Sequence, residues 1–269
     1  MTPIDEGTDT QGAAHGLAYM RASSELTAPG AARGVVAECP GDRTTTGGGA
    51  VVQGTSGVPF DDSGPIAGFS KRQSWGATFT NESGGVQQLH AYAVCGKLDG
   101  RALRQETIED ASALQEVKLR ARCPAGTNVT GGGVEFSGDS SQSRGLAPFD
   151  SGGDSDARPD DGWKVTAYPD QVSTITATAV CAPGAFAYRT DTIGPFPSDT
   201  LAIPQPTCQE DESTTGGGVT VSGSSPGASI THSSPQDGVD PDQVPDDRWD
   251  SGVEIPQGET ATGIAICKK

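Results

Sequence analysis

Clustered carboxylates in two segments of the chain are the residues whose spacing best suggests chemistry, and that chemistry is Ca²⁺ binding. Both segments end in a Pro-Asp-Asp-x-Trp motif, at residues 159–163 and 245–249. Proteins hold Ca²⁺ with roughly six to eight oxygen atoms, and flexible Gly and Ser residues separate these carboxylates. The predicted metal ligands are Asp154, Asp156, Asp160 and Asp161 in the first segment and Asp240, Asp242, Asp246 and Asp247 in the second. Neither segment matches an EF-hand, so the alternative is a solvated acidic loop whose Asp residues form turns.

The three tryptophans of the chain are the second group of candidate ligand-binding residues. Trp75, Trp163 and Trp249 could present their rings to sugars, or they could pack in the core beside disulfides. Each Trp follows a cysteine by 36 to 41 residues. This nearly fixed spacing favours the core over an exposed sugar-stacking platform.

Three glycine triplets, at residues 47–49, 131–133 and 216–218, are the third unusual feature. A phosphate-binding loop needs a following Lys-Ser/Thr pair and a helix, and neither is present here. The triplets instead predict strands without Cβ atoms, which a neighbouring sheet or a Trp ring can approach closely.

Catalysis finds little support among the remaining polar residues, and no catalytic residue is predicted. His90 and His232 have no matching histidine elsewhere in the repeat pattern described below, and no serine lies in a Gly-x-Ser-x-Gly elbow. Carboxylate pairs that could serve a glycosidase are abundant, but abundance does not identify a pair.

The balance of charge excludes two classes of partner. The 269-residue chain carries 35 acidic and 18 basic residues, for a net charge of −17. Such a surface repels the phosphates of nucleic acids and anionic lipids, and the sequence shows no Lys/Arg cluster that would offset it. No run of 18 apolar residues occurs, which argues against membrane insertion. The oligomeric state is not predicted.

A threefold internal repeat positions all of these candidates. Cys39, Cys123 and Cys208 lie 84 and 85 residues apart, and a glycine triplet follows each of them eight positions later. A Trp and then a second cysteine complete each repeat. An Arg that precedes the first cysteine by 18 or 19 residues extends the pattern upstream. The predicted repeats span residues 18–96, 97–182 and 183–269, and residues 1–17 are predicted to be a flexible N-terminal tail.

Alternating side chains inside each repeat predict β-strands. Residues 117–123 alternate apolar and basic side chains, and residues 89–95, 175–181 and 261–267 also alternate, with a period of two. One helix is considered over residues 108–117. The predicted fold is all-β, with three pseudo-symmetric disulfide-closed antiparallel modules arranged either as a β-prism or as tandem β-sandwiches.

The six cysteines predict a disulfide framework. Fifteen pairings are possible, but only one repeats in every module and keeps each bond local. It joins Cys39 to Cys95, Cys123 to Cys181, and Cys208 to Cys267. Disulfides of this kind indicate an extracellular or cell-surface protein. The N-terminal residues lack the basic and apolar segments of a signal peptide, so a secreted protein would have lost its signal before this sequence begins.

The segments beside the cysteines resemble a known family. The Cys-Pro-Ala-Gly run from Cys123, the glycine-rich strand after it, and residues 259–267 are similar to the repeats of vitelline membrane outer layer proteins. The resemblance implies a secreted β-prism of three Greek-key sheets around a pseudo-threefold axis, with an extracellular carbohydrate- or matrix-binding role. The chain also resembles secreted cysteine-bounded repeat proteins of high-GC bacteria. Neither resemblance supplies a catalytic residue.

These observations lead to one expected function and two alternatives. The expected function is non-catalytic binding at a cell surface or matrix, with a glycan or another extracellular surface component as the partner and Ca²⁺ as the candidate cofactor. The first alternative is a structural component of an extracellular assembly such as a phage, a tail-like particle or a spore coat. The second is a carboxylate-based glycan-active enzyme.

Overall fold

The structure is a computed structural model that describes residues 9–14, 16–54, 58–66, 74–137, 141–152, 158–223, 227–237 and 244–269. The first repeat contributes β1 (Asp9–Ala14), β2 (Leu17–Ser23), β3 (Ala32–Glu38), β4 (Thr44–Gln53), β5 (Asp62–Pro65), β6 (Ser74–Thr80) and β7 (Gln88–Gly96). The second contributes β8 (Ala102–Ala111), β9 (Val117–Arg122), β10 (Asn128–Phe136), β11 (Ser141–Phe149), β12 (Gly162–Pro169) and β13 (Ser173–Ala182). The third contributes β14 (Ala187–Ile193), β15 (Thr200–Ala202), β16 (Ser213–Val221), β17 (Ser229–Gln236), β18 (Arg248–Ile255) and β19 (Ala261–Lys268). The described part of the chain is therefore all-β, as the alternating sequence predicts.

The strands form three antiparallel sheets, and each sheet combines strands from two repeats. Sheet 1 has the order β1-β2-β7-β4-β17-β18-β15, sheet 2 has β3-β6-β5-β10-β13-β8, and sheet 3 has β14-β19-β16-β11-β12-β9. In every repeat the chain leaves one sheet after the glycine strand and enters another. This exchange decides between the two predicted architectures. It matches the β-prism and excludes three independent sandwiches.

The glycine triplets bring the three sheets together at a pseudo-threefold axis. A Cβ added to Gly131 would lie 2.6 Å from the Gly47 Cα, and one added to Gly47 would lie 2.9 Å from the Gly216 Cα. The threonine before each triplet closes a ring around the axis. Thr46 donates to the Thr215 carbonyl (3.1 Å), Thr130 to that of Thr46 (2.7 Å), and Thr215 to that of Thr130 (3.2 Å). Only glycine lets three backbones approach this closely.

The three disulfides have the predicted pairing. Cys39–Cys95, Cys123–Cys181 and Cys208–Cys267 have Cα separations of 5.5, 5.6 and 5.7 Å, within the normal range. Each bond closes one repeat. The framework is compatible with an extracellular protein.

The structure differs from the sequence analysis at two places. The helix considered over residues 108–117 is absent, because Ile108 lies in β8, Val117 begins β9, and Leu114 between them is 74% exposed with a φ of 57°. The predicted tail, residues 1–17, contains a strand, since β1 pairs with β2 at the edge of sheet 1. Leu17 is also buried at the start of β2. Residues 1–8 lie outside the described residues.

One repeat expressed alone is expected not to fold. Residues 97–182 contribute half of sheet 2 and half of sheet 3, and they would lose the pairing of β10 with β5 and of β11 with β16. The isolated repeat would expose the apolar faces of two three-stranded half-sheets and the glycine strand of the axis. The amide spectrum of the oxidised fragment measures this. Dispersed resonances and a cooperative melting transition would contradict the interdependence of the repeats.

Candidate functional site

The two Pro-Asp-Asp motifs are hydrogen-bonded to the cysteine loops of their own repeats, repeats 2 and 3. In repeat 2 the carbonyls of Asp160 and Asp161 accept hydrogen bonds from the amides of Val129 (2.9 Å) and Cys123 (2.8 Å). In repeat 3 the carbonyls of Asp246 and Asp247 accept from Thr214 and Cys208, both at 2.7 Å. The motif is therefore a backbone clamp that recurs at pseudo-equivalent positions.

The carboxylates of these motifs face protein groups. Asp161 accepts from the amide (2.6 Å) and hydroxyl (2.5 Å) of Ser151, and Asp246 accepts from the Ser213 hydroxyl (2.7 Å). Burial raises the pKa of Tyr19 well above its usual value, and the charges of Asp246 and Asp247 raise it further. Asp161 and Asp246 thus accept hydrogen bonds within their own repeats, and the charges of Asp246 and Asp247 also act on Tyr19 of repeat 1.

The predicted Ca²⁺ ligands are not brought together within the described residues. In that part of the chain, the only group of three potential ligand atoms within 4.8 Å of one another belongs to Cys208, Glu212 and Cys267. The two cysteines of that group form a disulfide. Asp154, Asp156, Asp240 and Asp242 lie outside the described residues. Ca²⁺ binding remains a prediction.

The tryptophans do not form sugar-stacking platforms. Trp75, Trp163 and Trp249 are 0%, 1% and 0% exposed, so no ring face is open to a ligand. Each ring covers the middle glycine of a triplet, where a Cβ would collide with the indole. The assignment of these residues to ligand binding is therefore corrected to the alternative of core anchors.

A basic groove lies on the described surface between β8 and β9. It is an open groove of about 490 Å³, lined by Arg104, Gln105 and Glu106 of β8 and by Lys118, Arg120, Ala121 and Arg122 of β9. The sequence prediction that no Lys/Arg cluster offsets the negative charge is therefore wrong. The net charge of the chain does not reveal this local concentration of cations.

Strand geometry explains how these cations come together. Lys118, Arg120 and Arg122 are alternate residues of β9, so their side chains share the exposed face while Leu119 and Ala121 are buried. Because β9 is the edge of sheet 3 and β8 the edge of sheet 2, the groove lies between two sheet edges. The Glu106 carboxylate accepts the Arg120 amide and joins the edges. The alternation in residues 117–123 was the one sequence signal for this site.

The groove keeps an excess of positive charge. Lys164 of β12 is opposite Arg120 in the sheet, and burial lowers the pKa of Lys164, with a further contribution from the charges of Arg120 and Lys118. The Arg120 guanidinium lies 5.6 Å from the centre of the Phe149 ring, which orients it. Lys118 pairs with Glu116 at 2.5 Å but remains 55% exposed. Lys118, Arg120 and Lys164 thus repel one another across β9 and β12.

The fold does not require these cations, because the other two repeats lack them. Lys118, Arg120 and Arg122 lie five, three and one residues before Cys123. The residues at the same distances from Cys39 are Gly34, Val36 and Glu38, and those before Cys208 are Ile203, Gln205 and Thr207. A feature that appears in one repeat of three is better explained by function than by packing.

Comparison with known proteins identifies no family for this chain. No family model matches this chain, and no curated protein matches it in sequence. In the described part of the chain no helix is long and apolar enough to span a membrane. Function is therefore argued from the groove, since a fold alone does not determine function.

Proposed function

We propose that this protein is an extracellular binding protein whose basic groove holds an anionic polysaccharide at a cell surface or in a matrix. The observation that carries the proposal is the convergence of Arg104, Lys118, Arg120 and Arg122 on one groove of a chain with a net charge of −17. The three disulfides support an extracellular setting.

Local charge decides binding here more than net charge does. At physiological ionic strength, charges more than about 8 Å away are largely screened, so a ligand in the groove interacts mainly with its lining residues. The distant acidic surface still slows the approach of long polyanions such as nucleic acids. This balance favours carboxylated or sulfated glycans, whose charges are more widely spaced.

The shape of the groove fits an extended chain of charges. Alternate residues of a strand are roughly 6.6 Å apart, so Lys118, Arg120 and Arg122 form a row of three cations along β9. Arginine binds carboxylate and sulfate through two parallel N–H donors, which fixes the orientation of the ligand as well as its charge. Arg104 contributes a cation from the opposite wall.

The test is a comparison of charged and neutral polysaccharides by calorimetry. Replacing Lys118, Arg120 and Arg122 by Gln should weaken binding of a polyuronate or a sulfated glycan by about three- to 150-fold, because exposed charge contacts are each worth roughly 0.2–1 kcal/mol. The salt dependence of the affinity should become shallower as well.

A matched control removes the same charge elsewhere. Gln at Arg33, Lys97 and Lys269 leaves the groove intact and should change the affinity less than threefold. Equal loss in both triple variants would show that only net charge matters. Tight binding of neutral dextran that survives the groove substitutions would contradict an anionic ligand. A glycan array read with and without Ca²⁺ then identifies the saccharide.

The alternative of a structural component of an extracellular assembly has one supporting observation. Leu26 follows β2 and Leu114 follows the equivalent strand β8, while Val86 and Val172 precede β7 and β13. All four side chains are between 55% and 74% exposed. Their recurrence at pseudo-equivalent loops is the reason to test these residues as a contact surface. Light scattering of the wild type against a Leu114→Gln/Val172→Gln variant distinguishes self-assembly from a monomer.

A further inference from the structure

A hydrogen-bonded serine, histidine and glutamine lie on the half-buried outer face of sheet 1, away from the basic groove. Ser23 of β2 and His90 of β7 are direct cross-strand neighbours, with 2.7 Å between the Ser23 Oγ and the His90 Nδ1. The His90 Nε2 lies 2.8 Å from the Gln53 Oε1 of β4. The three side chains therefore form a chain across three adjacent strands.

The hydrogen bonds of His90 assign one neutral tautomer to its ring. With the Gln53 Oε1 facing the ring, the carbonyl oxygen accepts and the His90 Nε2 carries the proton. The Nδ1 of the neutral ring is then an acceptor, and the Ser23 hydroxyl donates to it. Burial lowers the pKa of His90, and the charge of Arg21 lowers it further, so the ring is neutral at pH 7. A serine that donates to a neutral imidazole oriented by an amide is arranged as a nucleophile with its general base.

The other repeats show that the fold itself does not require this arrangement. At the equivalent cross-strand positions, Thr107 pairs with Thr176 (3.0 Å) and Thr192 pairs with Thr262 (2.8 Å) through their hydroxyls. At both places a pair of threonine hydroxyls forms the cross-strand hydrogen bond. In repeat 1 the imidazole of His90 takes the place of one hydroxyl, and Gln53 contacts its second nitrogen. The packing of the strands does not explain this difference.

The positive charge of Arg21 lies on the same face as Ser23 and His90 because its pairing register differs from that of the equivalent arginines. Arg104 and Arg189 pair with Ala179 and Ala265, but Arg21, one residue nearer its cysteine, pairs with Tyr92. A one-residue shift moves a side chain to the opposite face of a strand. Arg21 therefore shares the outer face with Ser23, two residues away, where its guanidinium can stabilise negative charge that develops on a substrate oxygen.

We propose that Ser23 is a nucleophile that hydrolyses small carboxylic esters. The Ser23 Oγ forms a bond to the ester carbonyl carbon while its proton passes to the His90 Nδ1. The carbon–oxygen bond to the alcohol breaks, and His90 returns the proton to the leaving alkoxide. Water then attacks the acyl-serine, His90 accepts its proton, and a carboxylic acid is released as the Ser23 hydroxyl is restored.

Burial limits the acyl group. His90 is 7% exposed and Ser23 is half-buried, so only a short acyl chain can reach the hydroxyl. The orienting group Gln53 is neutral and stabilises the imidazolium less than a carboxylate would. We therefore expect esters such as acetates, whose alcohols leave more readily than amines do. This activity goes beyond the proposed binding function and does not depend on it.

The experiment uses a fluorophosphonate, which phosphonylates an activated serine with loss of fluoride, and 4-nitrophenyl acetate as the ester. Intact mass should show one added group on the wild-type protein, and peptide mapping should place it on Ser23. Ser23→Ala should remove labelling and at least nine-tenths of the ester hydrolysis. The labelling rate should fall as pH drops through the His90 pKa, which burial holds below its usual value, because a protonated ring cannot accept the serine proton.

Two further variants separate a nucleophile from a merely structural pair. His90→Gln retains hydrogen-bonding groups but no base, so labelling should fall at least tenfold while the melting temperature stays within a few degrees. Thr107→Ala, at the equivalent position of repeat 2, should label like the wild type. Absence of wild-type labelling, labelling at another residue, or unchanged labelling in His90→Gln would each overturn the proposal, and mapping on the wild type needs no variant to fold.

Discussion

Gly132→Ala is expected to destabilise the protein by about 3 kcal/mol or more, near or above the upper end of the usual cost of overpacking a core. A Cβ at this position would overlap the Trp163 ring and lie 2.6 Å from the Thr178 carbonyl. Neither neighbour can move, since Trp163 is fully buried and Thr178 belongs to a paired strand. For a chain of this length the melting temperature should fall by roughly 6–12 °C.

The control for this substitution is Gly34→Ala in β3. Its Cβ would lie 3.5 Å from the Thr78 Cγ2, an ordinary contact, and its φ needs no glycine. The change should be neutral or stabilise by about 0.4–1 kcal/mol, because alanine restricts the unfolded chain. Thermal and urea unfolding of both variants measure the difference. Similar losses at both positions would mean that the close approach of Trp163 is not what selects glycine.

The features that could be predicted from sequence are those that a single strand or repeat determines by itself. The period of two in residues 117–123 identified the exposed and buried faces of β9, and the repeated spacing identified all three disulfides. The triplets were correctly read as strands with a close neighbour. Each of these inferences depends on residues that lie close in the chain or recur at a fixed interval.

The features that could not be predicted depend on which strands become neighbours. The periodicity of the sequence does not show that β5 joins the sheet of β10. The sequence therefore could not decide between a β-prism and tandem β-sandwiches. The same limit hid the groove, because Arg104 and Arg120 meet across the edges of two different sheets. His90 looked isolated because Ser23 and Gln53 lie 67 and 37 residues away in the chain. A site formed by residues of several strands can be predicted only after the order of the strands is known.

Both proposed sites lie at local exceptions to the repeat. Where the three repeats agree, in cysteines, triplets and tryptophans, the structure uses the residues for the axis and the core. Where one repeat differs, as at Lys118, Arg120 and His90, the residues lie on an outer face. In a pseudo-symmetric protein the agreeing positions describe the fold, and the disagreeing positions are the better candidates for function.

Loss of one disulfide is expected to have an effect at least as large as that of the glycine substitution. Replacing Cys123 and Cys181 by Ser removes a bond with a sequence separation of 58 residues. On the loop-entropy model, such a bond is worth about 4 kcal/mol. Cys181 is fully buried beside the core of repeat 2, so the serine hydroxyl also costs free energy if it has no partner. Urea unfolding of the double variant should show this loss as a lower midpoint.

Reduction of all three bonds tests the same argument without substitution. A single domain of this size is expected to have a total stability of roughly 5–15 kcal/mol, which three bonds of this kind can nearly exhaust. Protein reduced and alkylated under denaturing conditions should therefore fail to recover its sheet spectrum when the denaturant is removed, whereas protein with intact disulfides should refold. Recovery of the native melting temperature by the reduced chain would mean that the core alone stabilises the fold, and the disulfides would then no longer argue for an oxidising, extracellular setting.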